Sequence, residues 1–175
     1  MRIVAGTLGG RRIKAPPGRG TRPTSDRVRE ALFSILGPLD GIDVLDLFAG
    51  SGALGIEALS RGASSAVFVD DDPRAVAVIR DNLDSLGLSA RVHKRDGMAY
   101  LRSPREGPFG LVFLDPPYSS AGELAGALSE GLPALSTDDA RIVSESDKRH
   151  PLELSLPLLD ERVYGDTRIA IHSVR

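Results

Sequence analysis

The sequence predicts an α/β fold: a doubly wound, mostly parallel seven-stranded sheet with a C-terminal antiparallel hairpin. Two observations predict it. From residue 43 onward, short apolar runs of strand length alternate with stretches whose apolar residues recur at helical spacing. Such alternation is typical of a parallel sheet with helices on both faces. Near the end of the chain, Gly165-Asp166 separates two short β-rich runs, which is the pattern of a tight hairpin.

The individual elements follow from the same patterns. Strands are predicted at 43–48, 66–69, 90–93, 111–114, 141–144, 162–164 and 168–172. Helices are predicted at 53–61, 73–86, 97–101 and, less regularly, around 124–135. The second of these helices has clear local signals, because Asp72 caps it, Pro73 occupies its first position and Gly87 follows its end.

A further helix is predicted before the first strand. Thr24-Ser25 supplies a hydroxyl cap, and Asp26 places an acid in the first turn. Apolar residues then recur along one face and are predicted to pack into the core: Val28, Ala31, Leu32, Ile35 and Leu36. Arg27 and Glu30 are expected to face outward.

The composition of the 175 residues limits the possible chemistry. There is no cysteine, which excludes disulfides, thiolate metal ligands and cysteine nucleophiles. The three histidines are far apart in the sequence, so no metal site is expected. No apolar run has the length of a membrane span, and no signal-peptide core is present. We therefore expect a soluble cytoplasmic protein without a membrane partner.

Basic residues are concentrated near the N-terminus. The net charge is −2, yet residues 1–30 hold eight basic and two acidic side chains and so carry +6. A basic arm on an acidic body favours a nucleic-acid partner, although basic termini are often only solvated tails. We predict a small basic β-hairpin arm at 1–20, with strands at 2–5 and 12–15, on a larger domain at 21–175. The candidate nucleic-acid-binding residues are Arg2, Arg11, Arg12, Lys14, Arg19, Arg22 and Arg27.

A glycine-rich turn follows the strand that begins at residue 43. The turn reads Asp-Leu-Phe-Ala-Gly-Ser-Gly over residues 46–52 and leads into a helix. In doubly wound sheets, ligands bind beyond the carboxyl ends of the strands. Gly50 and Gly52 let the backbone approach such a ligand closely. With Gly55 they also match a dinucleotide-binding pattern, so the glycines alone do not identify the ligand.

Acids at the ends of three strands narrow the choice of ligand. Asp46 would repel a pyrophosphate but suits an ammonium group, and Asp70 can accept hydrogen bonds from ribose hydroxyls. Asp96, followed by Gly97 and Met98, can contact an adenine edge. An adenosine with an amino-acid tail, S-adenosylmethionine, fits all three acids, although Asp70 and its acidic neighbours could instead be a helix cap and solvated charge. The predicted metal-free donor site comprises Asp46, Phe48, Gly50, Gly52, Asp70, Asp96, Gly97 and Met98.

A second candidate site follows the predicted strand 111–114. The Asp115 carboxylate and the Pro116 carbonyl are acceptors that can hold both hydrogens of an exocyclic amine. Pro116 and Pro117 fix two φ angles, so the acceptors are in place before a substrate binds. Tyr118 offers an aromatic face on which a base can stack. We predict that these four residues are catalytic; the alternative is a strand end with a half-buried aromatic.

These motifs resemble the class I methyltransferases that modify exocyclic or amide nitrogens. More narrowly, residues 1–6, 22–33 and 164–166 resemble the RsmD-type small-subunit ribosomal RNA guanine-N2 methyltransferases. The similarity covers nearly the whole chain, with a departure at Asp70, where the family often has glutamate. It implies a Rossmann-like class I fold and methyl transfer from S-adenosylmethionine to the N2 amine of one guanine in 16S ribosomal RNA.

The resemblance also implies the biological setting. Its expected product is S-adenosylhomocysteine, and its expected substrate is an assembled or partly assembled small ribosomal subunit. We expect a monomer. An adenine-N6 or cytosine-N4 nucleic-acid methyltransferase would use the same acceptors, and a non-catalytic RNA-binding assembly factor is an alternative of a different class.

Overall fold

The computed structural model describes residues 1–17, 25–116 and 121–175, which form a central sheet with helices on both faces. The strands are β1 (Asp43–Leu47), β2 (Ser65–Asp70), β3 (Arg91–Lys94), β4 (Phe109–Leu114), β5 (Ser136–Asp147), β6 (Leu158–Tyr164) and β7 (Thr167–Ser173). The helices are α1 (Asp26–Leu36), α2 (Ala53–Ser60), α3 (Pro73–Leu86), α4 (Gly97–Arg102) and α5 (Ala121–Gly131). A 3₁₀ helix, Leu132–Leu135, follows α5.

The strands are arranged in the order β3-β2-β1-β4-β5-β7-β6. β1 pairs in parallel with β2 on one side and with β4 on the other. The β2–β3 and β4–β5 pairs are also parallel, and β7 lies antiparallel between β5 and β6. The predicted doubly wound sheet with a C-terminal antiparallel hairpin is confirmed. Its switch in strand order lies between β1 and β4, so their carboxyl ends flank the crevice in which such sheets bind ligands.

Two predicted elements differ in extent from the observed ones. β5 is three times longer than predicted because its ladders continue in both directions, to the Ser136–Phe109 pair at one end and the Asp147–Thr167 pair at the other. The helix predicted around 124–135 is divided after Gly131. Pro133 lacks the N–H that an α-helical hydrogen bond requires, and the chain continues there as a 3₁₀ helix.

The buried face of α1 also differs from the predicted stripe. Three of its members are buried as predicted: Val28, Leu32 and Leu36. Ile35, however, is 38% exposed, whereas Phe33 is only 1% exposed. The Phe33 ring lies 5.7 Å from the Phe113 ring between centroids, and the Arg61 guanidinium lies 4.9 Å from the Phe33 centroid. Burying this large ring removes more apolar surface from water than burying Ile35 would, and this sets the rotation of α1.

The first 14 residues, which we call the N-terminal segment, pack against α2 and α3. Ile3 and Ile13 are buried in the same apolar cluster as those helices. The predicted β-hairpin is reduced to a single antiparallel bridge between Arg2 and Arg12, because the N–H groups of residues 4 and 5 donate to the Glu57 carboxylate instead of to a partner strand. The division into 1–20 and 21–175 stays a prediction, since residues 18–24 lie outside the described part of the chain.

The rotation of α1 gives a direct prediction. Phe33→Ala should lower the free energy of unfolding by about 3 kcal/mol or more, because it opens a cavity beside Phe113. Ile35→Ala, two positions away on the same helix, should cost less than about 1 kcal/mol because Ile35 is partly exposed. Urea denaturation of both variants measures the difference. Equal losses for the two variants would contradict this rotation of α1.

Candidate active site

The residues predicted to bind the methyl donor lie at the carboxyl ends of neighbouring strands, along one edge of the sheet. The turn at 46–52 connects β1 to α2, Asp70 is the last residue of β2, and Asp96 follows β3 by two positions. Because β3, β2 and β1 are consecutive parallel neighbours, their carboxyl ends meet at this edge. The structure therefore brings together the three acids that the sequence places at three separate strand ends.

The turn after β1 has an unusual backbone. Phe48, Gly50 and Gly52 all have positive φ angles, of 72°, 58° and 77°. Phe48 is the only non-glycine residue with positive φ among the residues that the structure describes. A bulky side chain is strained in this conformation, and such strain is concentrated at functional sites. The N–H groups of Phe48 and Ala49 both donate to the Val69 carbonyl, which draws the turn against the end of β2.

Asp70 fixes this turn from the neighbouring strand. Its carboxylate is 3% exposed and accepts hydrogen bonds from the N–H groups of Gly50 (2.8 Å) and Asp72 (2.9 Å). Asp70 thus shapes the turn at 46–52, which we call the donor turn after its predicted ligand. Its predicted contact with ribose hydroxyls stays a prediction.

Asp46 lies beneath α2 with 2% of its surface exposed. It accepts a hydrogen bond of 3.0 Å from the Gly55 N–H in the first turn of that helix. The N-cap residue of α2 is Gly52, which has no side chain to make this contact, so Asp46 supplies the missing acceptor. The pKa of Asp46 is raised to about 7, chiefly by burial. The hydrogen bond from Gly55 lowers the pKa, and the negative charge of Asp70 raises it. Asp46, which is predicted to bind the ammonium group of the ligand, therefore also caps the N-terminus of α2.

The third acid begins helix α4, and the residue that follows it packs against the β1 turn. Asp96 is the N-cap of α4 and accepts a hydrogen bond of 2.8 Å from the Ala99 N–H. Gly97 lies directly against the Phe48 ring: a Cβ at this position would be 2.6 Å from Phe48 Cε1. Glycine is therefore required sterically, and the contact joins the β1 turn to α4. Met98 is half-buried and packs against the second apolar cluster.

The predicted amine-binding corner begins immediately after β4. β1 and β4 pair in parallel up to Leu47 and Leu114, so Phe48 and Asp115 are the first residues beyond the sheet on neighbouring strands. Asp115 is exposed and Pro116 is buried. The other two residues of the predicted catalytic set, Pro117 and Tyr118, lie outside the described residues. The structure thus places the start of the corner beside the donor turn, at the switch point of the sheet.

The predicted RNA-binding cations have different surroundings. Arg2 pairs with Asp26 at 2.9 Å, and Lys14 pairs with an exposed acid of α3 at 3.0 Å. Arg11 donates to the last carbonyls of α3, at Ser85 and Leu86. The remaining described members, Arg12 and Arg27, are exposed. Arg19 and Arg22 lie outside the described residues, and the RNA-binding role of the whole set stays a prediction.

Several buried polar residues near the site were missed by the sequence interpretation. Arg29 is one of the eight basic residues of 1–30, yet it is 1% exposed and donates to the Arg2 carbonyl at 2.5 Å and to Asp26 at 2.6 Å. Glu57 and Asn82 are each 1% exposed. The one available signal was positional, since Glu57 interrupts an apolar helix and Asn82 borders the apolar face of α3.

The described residues contain neither a metal-binding cluster nor a membrane-spanning helix. Within residues 1–17, 25–116 and 121–175, no group of three or more acidic or histidine side chains is arranged to hold a metal ion. In the same part of the chain, no helix combines the length and apolarity needed to cross a bilayer.

The raised pKa of Asp46 predicts a pH-dependent difference in stability. Between about pH 4 and pH 7 the folded state keeps a proton that the unfolded state releases, so burying Asp46 becomes steadily more costly as pH rises and stays constant above pH 7. Asp46→Asn keeps an acceptor for the Gly55 N–H and removes the titration. The stability of the variant relative to the original chain should therefore rise by roughly 1 kcal/mol per pH unit across this window.

Urea denaturation at about pH 4.5, 6 and 8 measures this difference. A difference between Asp46→Asn and the original chain that does not change with pH would contradict a raised pKa.

Comparison with known proteins supports the fold and identifies the family of the chain. The family described as "Conserved hypothetical protein 95" matches residues 1–173. The "Putative rRNA methyltransferase YlbH" of Bacillus subtilis is 40% identical over 183 aligned positions, covering all of both chains. The "Ribosomal RNA small subunit methyltransferase D" of Escherichia coli K12 is 38% identical over 159 positions, covering 87% of this chain and 77% of the relative.

A solved structure gives the same result in three dimensions. The Escherichia coli protein described as "Putative methyltransferase yhhF" superposes with a TM-score of 0.83 at 35% identity, over 99% of this chain and 97% of the other. The sequence similarity extends through the N-terminal segment, the donor turn and the terminal hairpin. The resemblance to RsmD-type methyltransferases is thereby confirmed, and the chain belongs to the family described as Conserved hypothetical protein 95.

Proposed function

We propose that this chain transfers a methyl group from S-adenosylmethionine to the exocyclic N2 amine of a guanine in 16S ribosomal RNA. The observation that carries the proposal is the adjacency of β1 and β4, which brings Asp115 and Pro116 to the same crevice as the donor turn. The proposed RNA substrate is supported by a relative named as an rRNA methyltransferase and by another named as a methyltransferase of small-subunit ribosomal RNA. The guanine-N2 specificity comes from the resemblance described above.

The donor-binding edge fits S-adenosylmethionine by the chemistry of its residues. The turn at 48–52 brings backbone close to a ligand through its glycines, and Phe48 contributes an aromatic ring beside it. Asp70 and Asp96 offer oxygen acceptors suited to ribose and adenine, and Asp46 offers a carboxylate suited to an ammonium group. When bound, S-adenosylmethionine supplies an electrophilic methyl group, and S-adenosylhomocysteine is the product. The proposed donor site needs no metal ion.

The acceptor side of the crevice positions the amine. We assign the Asp115 carboxylate and the Pro116 carbonyl to the two hydrogens of the exocyclic nitrogen, which would turn its lone pair out of conjugation with the base. Burial of Pro116 and its fixed φ angle hold this carbonyl before the substrate arrives. Tyr118 is assigned to stacking with a flipped-out guanine, and Pro117 to fixing the path of the chain between them.

The proton of the amine leaves with or after the methyl transfer. We assign the Asp115 carboxylate as the acceptor of that proton. Positioning of the amine accounts for most of the proposed rate enhancement, since neither a covalent intermediate nor a metal-activated nucleophile is required.

The basic residues of 1–20, with Arg22 and Arg27, are proposed to hold the ribosomal RNA. Exposed cations on one segment favour a phosphate backbone, which positions a nucleic acid without reading its sequence. An assembled or partly assembled small subunit is the proposed substrate, and the protein is proposed to act as a monomer in the cytoplasm.

The catalytic assignment predicts a selective loss. Asp115→Ala should reduce methyl transfer into small ribosomal subunits by about 10²- to 10⁴-fold, since it removes both an amine acceptor and the proposed proton acceptor. Its affinity for S-adenosylhomocysteine should be unchanged in calorimetry, because the donor residues are intact. Asp84→Ala, at an exposed acid of α3, is the control and should retain full activity. Full activity in Asp115→Ala would sink the assignment.

The RNA-binding assignment predicts a change in salt dependence. Arg12→Ala should reduce the slope of log K against log salt by about 0.7 to 0.9, because one phosphate contact is lost. Arg162→Ala removes a cation on β6, at the opposite edge of the sheet from β3, and should leave the slope unchanged. Equilibrium RNA binding at several salt concentrations compares the two variants. Equal slopes for Arg12→Ala and the original chain would mean that Arg12 does not contact RNA.

A further inference from the structure

Asn82 makes hydrogen bonds both to the N-terminal segment and to the donor turn. It lies on α3, and its side chain is 1% exposed. Its Oδ1 accepts from the Lys14 N–H at 2.8 Å, and its Nδ2 donates to the Lys14 carbonyl at 3.0 Å. The same Nδ2 donates to the carbonyl of Ser51, in the middle of the donor turn, at 3.1 Å. Both hydrogens of the Asn82 amide are therefore used, one by the Lys14 carbonyl and one by the Ser51 carbonyl.

The N-terminal segment also contacts the donor turn directly. The hydroxyl of Ser51 lies 3.6 Å from the sulfur of Met1. The Met1 carbonyl accepts a hydrogen bond of 3.1 Å from the Ile13 N–H, so the position of Met1 depends on the returning half of the segment. That half is held in place by the contacts of Asn82 with Lys14.

The helix that leaves the donor turn holds the other half of the segment. Glu57 of α2 accepts from the N–H groups of Val4 (2.7 Å) and Ala5 (3.0 Å). Ser60, also of α2, donates to the Ala5 carbonyl at 2.6 Å. The fit is close, because a Cβ on Gly6 would lie 1.9 Å from the Ser60 carbonyl oxygen. The segment is thus held by hydrogen bonds to α2 and to α3, in addition to its own Arg2–Arg12 bridge.

From these contacts we infer that Asn82 is a positioning residue that joins the donor turn to the N-terminal segment, so that donor binding and ordering of the segment stabilise each other. This inference rests on the proposed donor site. A ligand that fixes the turn fixes the Ser51 carbonyl, and through Asn82 it favours the docked position of Lys14. Linkage makes the effect reciprocal. If the donor raises the affinity of the docked segment for RNA by some factor, RNA bound to the exposed cations of that segment raises the affinity for the donor by the same factor.

Hydrogen exchange of the unaltered protein tests this coupling without any substitution. Saturating S-adenosylhomocysteine should slow exchange in peptides covering residues 1–14 by about tenfold or more, as well as in peptides covering the donor turn. Protection of residues 46–55 without protection of residues 1–14 would overturn the inference and leave the proposed donor site intact. Absence of any binding or protection would instead overturn the proposed function.

Asn82→Asp separates a positioning role from a merely structural one. The substitution keeps the acceptor for the Lys14 N–H but places an oxygen against the two carbonyls that Nδ2 now serves. We expect the dissociation constant for S-adenosylhomocysteine to rise about tenfold, and ligand protection to be lost from residues 1–14 while it persists in the turn. A purely structural residue would lower stability and leave both readouts unchanged in the folded protein.

The control is the neighbouring residue of the same helix. Asp81 is exposed and accepts a hydrogen bond of 3.0 Å from the ammonium group of Lys14. Asp81→Asn should keep the affinity for S-adenosylhomocysteine and the protection of residues 1–14. The inference is overturned if Asn82→Asp matches Asp81→Asn in both measurements. If Asn82→Asp does not fold, the exchange experiment on the unaltered protein decides alone.

Discussion

The pairing of β1 with β2 on one side and β4 on the other is the constraint on which the candidate site depends. It sets the donor turn and the Asp115 corner side by side, although 63 positions separate Asp115 from Gly52 in the chain. Neither part is sufficient alone. A glycine-rich turn without neighbouring acceptors describes many ligand-binding sheets, and an acid followed by prolines is a common way to end a strand. The chemistry becomes specific only where the two meet.

The turn itself is held by polar groups that are expensive to bury. Asp70 offsets its loss of water by accepting hydrogen bonds from Gly50 and Asp72, and Asp46 does so less completely through the Gly55 N–H. The incomplete compensation at Asp46 is visible as a raised pKa. These carboxylates, together with the strained backbone of Phe48, shape the turn before any ligand binds, which is the arrangement expected of a preorganised site.

Local signals in the sequence were sufficient for the fold. The ends of α3 were predictable because a cap, a proline and a glycine act within a few residues, and the strands were predictable from their apolar runs. The rotation of α1 was not, because Phe33 and Ile35 differ in burial through the position of Phe113, 80 residues away from Phe33. Asn82 shows the same limit at the site: its partner Lys14 lies 68 positions earlier, and no local pattern links the two.

The structure shows a contact role for the N-terminal segment that its charge alone does not predict. Its positive charge predicts an RNA-binding arm, and its exposed arginines are consistent with that proposal. Its backbone, however, is bound by Glu57, Ser60 and Asn82, so the segment also supports the donor turn. Under the proposed function, the same stretch of chain contacts the RNA and also supports the turn that binds S-adenosylmethionine.

The most direct test of the central claim is transfer of labelled methyl groups into small ribosomal subunits that lack the modification, followed by digestion to nucleosides. The account predicts label in N2-methylguanosine, recovered from 16S ribosomal RNA. Label in N6-methyladenosine or N4-methylcytidine would contradict the assigned base, and absence of label in any nucleoside would contradict methyl transfer itself.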